Sequence, residues 1–72
     1  MSLDPPASWP GADGAPLSCR EKLKTLADNH AELVQVLQDA FEDAVLMGVG
    51  EQAMRDILAG VVAALKSPKV AR

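Results

Sequence analysis

Cys19 and His30 are the only cysteine and the only histidine in the chain, and they bound the chemistry open to it. One thiol cannot form an internal disulfide, and one thiol with one imidazole cannot close a four-ligand zinc site. Ser18, Thr25 and Ser67 lack the nearby histidine that a nucleophile–base pair requires. Gly48-Val49-Gly50 is too short for a phosphate loop and is not followed by the lysine and hydroxyl that such a loop uses. The residues therefore point to no catalytic group, no cofactor, no metal and no small-molecule substrate. Cys19 reads as a small, partly covered residue near a helix start. A helix N-terminus lowers a thiol pKa, but neither a base nor a resolving cysteine stands near it in the sequence. His30 reads as a half-buried polar side chain that sets register or caps a helix, with a pH-sensitive interface contact as the sharper alternative.

What remains is chemistry of contact. Trp9 is the only tryptophan and is followed directly by Pro10; it reads either as a solvated aromatic or as an anchor that docks on the helical body or on a partner. Asp39, Glu42 and Asp43 form an acidic cluster that is either a solvated face or a dock for a basic partner. Val34 and Phe41 widen an apolar stripe. Ala59 and Ala63 sit one helical turn apart, as do Gly60 and Ala64. A glycine inside a helix costs about 1 kcal/mol relative to alanine, and close approach of another helix at Ala59, Gly60 and Ala63 would offset that.

The elements that must position these residues are helices. Residues 1–17 hold four of the five prolines and show neither helical nor strand periodicity, so they are expected to be a disordered Pro/Gly/Ala-rich tail, of which Met1-Ser2-Leu3 could be a cloning remnant. Order is expected from Ser18, which forms a capping box with Glu21. Leu23, Leu26, His30, Leu33, Leu37, Ala40, Ala44 and Met47 then follow at alternating steps of three and four, which is an amphipathic helical face. Asp28 and Asn29 compete with it, because Asn29 and Glu32 form a second cap-like pair and both Asp and Asn favour caps over helix interiors. The expected helices are therefore 18–28, 29–47 and 50–66, with continuity through Asp28-Asn29 as the open alternative. The last helix presents Met54, Ile57, Leu58, Val61 and Leu65, and Ser67-Pro68 stops it. Gly48 is placed to cap the preceding helix in the left-handed conformation. Residues 68–72 form a short basic tail.

The corner itself, "AVLMGVGEQAMRDIL" over residues 44–58, invites a second reading. Ala44, Gly48, Val49, Met54 and Ile57 match the apolar skeleton of a helix-turn-helix, and the stretch resembles that motif in small bacterial regulators. The resemblance implies DNA contacts from Gln52 and Arg55. Those skeleton positions are also what any tight helix corner must bury. Glu51 and Asp56 would face phosphates, and phosphate neutralisation supplies most non-specific DNA affinity.

A formal net charge of −3 argues against a nucleic-acid partner. No leader pattern and no membrane-length apolar run is visible, and a lone thiol fits a cytoplasmic setting. The expected fold is all-α: a short antiparallel helical hairpin that closes as a three-helix bundle or pairs as a dimeric four-helix bundle. The dimer is favoured because roughly fifty ordered residues give a thin core. The expected function is a non-catalytic protein–protein interaction module, a small adaptor or regulator binding a protein partner or itself. The alternatives are a DNA-binding regulator and an accessory subunit or chaperone of an enzyme.

Overall fold

The computed structural model describes residues 3–68. The expected basic tail lies almost wholly outside them. Two helices account for the regular structure: α1 (Arg20–Leu46) and α2 (Glu51–Ala63). The chain divides into two compact units, Met1–Gln38 and Asp39–Arg72, with the boundary inside α1.

In the first unit α1 runs without a break through Asp28 and Asn29, so the expected helices 18–28 and 29–47 are one element. The Asp28 carboxylate accepts a 2.7 Å hydrogen bond from the Lys24 ammonium one turn earlier. An acidic residue engaged along the helix surface in this way does not turn back to cap the backbone. The helix also starts one residue later than the Ser18 capping box implies. The Cys19 carbonyl accepts the first helical bond, from the Leu23 amide at 2.9 Å, which makes Cys19 the N-cap.

The stretch before α1, expected as a disordered tail, carries local backbone hydrogen bonds in the structure. Residues 9–17 form a miniature hairpin. The Gly14 amide donates to the Gly11 carbonyl at 3.0 Å, and Gly14 follows this turn at φ +91°, a conformation that favours glycine. The Asp13 carboxylate accepts from the Ala15 amide at 3.0 Å, as Asp does in turns. Pro10 and Pro16 face each other as an isolated antiparallel bridge. Neither proline has an amide to donate, so the flanking residues make the bonds: Gly11 to the Ala15 carbonyl at 2.7 Å and Leu17 to the Trp9 carbonyl at 2.8 Å. The sequence cue was the PGADGAP run itself, whose glycines and prolines mark a turn as readily as a tail.

In the second unit α1 ends in a Schellman motif. The Val49 amide donates to Ala44 at 2.9 Å and the Gly48 amide to Val45 at 3.0 Å, with Gly48 at φ +107°. Gly50 then caps α2 with extended backbone, its carbonyl accepting from the Met54 amide at 2.9 Å. Glu51 in the first turn complements the helix dipole. α2 ends at Ala63, three residues before Lys66.

None of the described residues is buried. The most covered positions of the first unit include Leu23, Leu26, His30, Val34 and Leu37; those of the second include Phe41, Ala44, Val45, Val49, Met54 and Leu58. All are half-buried. Ile57, Val61 and Leu65 share the expected core stripe of the last helix but are exposed, as is Met47.

Candidate interaction surfaces

Trp9 is half-buried through the hairpin that carries it. Its ring meets the His30 imidazole edge to face, with centroids 6.2 Å apart and planes at 76°. The backbone bond from the Leu17 amide to the Trp9 carbonyl closes the hairpin three residues before α1. Beside it lies a shallow, mostly apolar groove of about 360 Å³ lined by Leu17, Glu21, Lys22, Thr25 and Leu26. Cys19 is exposed at the head of the helix. The backbone amides of Lys22 and Glu21 hold its thiol below the ordinary value, because they stabilise the thiolate. No group of three or more His, Cys, Asp or Glu side chains among the described residues is arranged to hold a metal ion.

In the second unit Phe41 is met by Arg55, whose guanidinium carbon lies 4.7 Å from the ring centroid. Gln52 donates from Nε2 to the Asp56 carboxylate at 2.9 Å. Both side chains that would read DNA are thus engaged within their own unit. Asp39, Glu42 and Asp43 are exposed on the last turns of α1. Ala59, Gly60 and Ala63 are exposed as well, and a Cβ placed on Gly60 would meet nothing within 4 Å. Among the described residues no neighbour exploits the missing side chain. Val34 is half-buried in the first unit. Of the residues singled out in the sequence, the structure brings Phe41 and Arg55 together within the second unit.

The larger surface is one that sequence periodicity assigns to a core. Ile57, Val61, Val62 and Leu65 are between 56% and 73% exposed, while Met54 and Leu58 on the same side of α2 are half-covered. Leu46 and Met47, at the end of α1, are more than four-fifths exposed. Leu33 and Val36 are exposed in the first unit. A hydrophobic period reports that a face is apolar, not what covers it. No helix among the described residues is long and apolar enough to cross a membrane. No protein-family model, curated protein or solved structure matches this chain.

Proposed function

We propose that the chain is a non-catalytic interaction module whose apolar helix faces are completed by protein. The observation that carries this reading is the combination of two well-formed helices with no buried residue among those described. A helix of 13 residues such as α2 is marginal by itself in water. Helical stability in proteins comes mainly from packing an apolar face, and here most of that face is open.

Closure as a hairpin within a larger bundle is the architecture this reading requires. A three-helix closure inside one chain would need a third helix, and the described residues supply two. A pair of two-helix chains closes as a four-helix bundle. The DNA-reading alternative draws less support, since Arg55 and Gln52 already have partners and Glu51 and Asp56 would repel phosphate.

The test is binding of an amphipathic dye such as anilinonaphthalene sulfonate to the full chain, diluted until light scattering reports single chains. The reading predicts dye binding and a broad, non-cooperative melt. Single chains that exclude the dye and melt in one sharp transition would overturn it, because they would have closed a core unaided.

A further inference from the structure

We infer that the hairpin at residues 9–17 is a proton-sensitive strap: Trp9 latches it over the apolar stripe of α1 at His30, and protonation of that imidazole tightens the latch. The inference concerns the first unit alone and does not depend on what completes α2.

The strap is a formed piece of structure with a narrow attachment. Three backbone bonds hold it: Gly14 to Gly11, Gly11 to Ala15, and Leu17 to Trp9. Ser18 and Cys19 alone separate its last residue from α1. The Leu17 side chain lies back against the hairpin, since a Cβ at Gly11 would stand 3.6 Å from its Cδ2. The same side chain lines the groove that Leu26 lines from α1. Trp9 meets His30 one helical turn further along, with ring centroids 6.2 Å apart. Leu26 and His30 are half-buried, whereas Leu33, the next position of the stripe and beyond these contacts, is 54% exposed. The hairpin therefore covers the start of the stripe, and its grip ends at the Trp9–His30 pair.

His30 makes that grip sensitive to protons. Histidine is the side chain that ordinarily changes charge between about pH 5 and 8. The ring contact with Trp9 is the side-chain interaction of His30 among the described residues. With the planes at 76° an edge meets a face, which is how an imidazolium presents its N–H groups to an indole. Indole is the best aromatic partner for a cation, so the charged ring gains an attraction that the neutral ring lacks. Competing charges are few. On α1 the positions one turn either side of His30 are Leu26, Ala27, Leu33 and Val34, none of them ionisable. The ionisable group of the hairpin is Asp13, whose carboxylate accepts from the Ala15 amide. Asp4, in the segment before the hairpin, has an interaction of its own and is controlled for below.

Acrylamide quenching of the full chain at pH 8 and pH 5.5 tests the inference, because Trp9 is the only tryptophan. Acid is expected to raise the closed-to-open ratio of the strap about 2- to 5-fold, the worth of an exposed cation–π contact, and so to lower the quenching constant. His30→Gln is expected to stay at the native pH 8 level at both pH values. His30→Arg, charged at both, is expected to stay at the native acid level. Asp4→Asn is expected to respond as the native chain does. A native quenching constant that holds steady or rises on acidification overturns the latch. So does a fall that persists in His30→Gln, or one that Asp4→Asn abolishes, which would make a carboxylate the partner. Should the position 30 variants fail to fold, proton NMR of the native chain decides. The carbon-bound ring protons of the only histidine are expected upfield, over the indole face, and their lying unshifted at both pH values overturns the contact.

Discussion

Arg55 on α2 holds its guanidinium carbon 4.7 Å above the ring centroid of Phe41 on α1. This contact ties the last turns of α1 to the first turns of α2, and it uses the one cation that a DNA-reading corner would have aimed outward. An exposed cation–π contact is worth about 0.5–1 kcal/mol. Arg55→Ala is expected to destabilise the chain by about that much in urea denaturation, and Arg55→Lys by less. A loss of several kcal/mol would show that Arg55 does more than cover Phe41.

The same arrangement predicts no useful affinity for DNA. Fluorescence anisotropy with a labelled random duplex at low salt is expected to show no binding at micromolar protein. Binding that weakens steeply with salt would restore the DNA-reading alternative.

Trp9 reports the N-terminal hairpin, because the chain has no tyrosine and no second tryptophan. Its edge-to-face contact with His30 is worth about 0.5–1.5 kcal/mol beyond the area it covers. His30→Ala is expected to shift Trp9 emission to the red. Gly11→Ala should do the same, since the added Cβ would lie 2.7 Å from the Ala15 carbonyl oxygen and force the hairpin open. Unchanged emission in both variants would mean that the hairpin does not hold Trp9 in place in solution.

Gly48 separates backbone strain from steric clash. A Cβ there would meet nothing within 4 Å, yet φ is +107°. Gly48→Ala is therefore expected to destabilise the chain by about 1–2 kcal/mol through left-handed strain alone. Gly60→Ala, inside α2 and equally open, should stabilise it by up to about 1 kcal/mol. Destabilisation by Gly60→Ala would place a neighbour against that glycine after all.

Cys19 carries a pH signature. Amides of Lys22 and Glu21 lower its pKa in the folded chain from the ordinary 9.0, so the folded state favours the thiolate. Its contribution to stability is present above the unfolded value and fades as pH falls through the lowered folded value. Alkylation by iodoacetamide at pH 8 is expected to run faster in the folded chain than in urea. Equal rates would mean that the N-cap geometry is not maintained.

Much of this fold is legible in the sequence, for reasons that differ by residue. The corner follows from Gly48, because a left-handed helix cap is a local requirement that the residue type announces. The sequence leaves the continuity of α1 open, because Asp28 and Asn29 are poor interior residues while the apolar phase runs on past them; the Lys24–Asp28 pair shows how the acidic side chain is accommodated. The hairpin at residues 9–17 was hidden because its two prolines cannot donate, and its bonds come from Gly11 and Leu17 beside them. The assignment of Ile57, Val61 and Leu65 to a core went astray for a deeper reason. Periodicity identifies the apolar face of a helix, but the covering partner belongs to tertiary or quaternary structure.

Solution mass by light scattering across a dilution series, with helix content followed by circular dichroism, tests whether another protein chain completes the apolar helix faces. The expected result is twice the 7.6 kDa chain mass at high concentration, and loss of helix as dilution separates the copies. A chain that stays single with unchanged helix content from high to low concentration, and unfolds in one sharp transition, would contradict it.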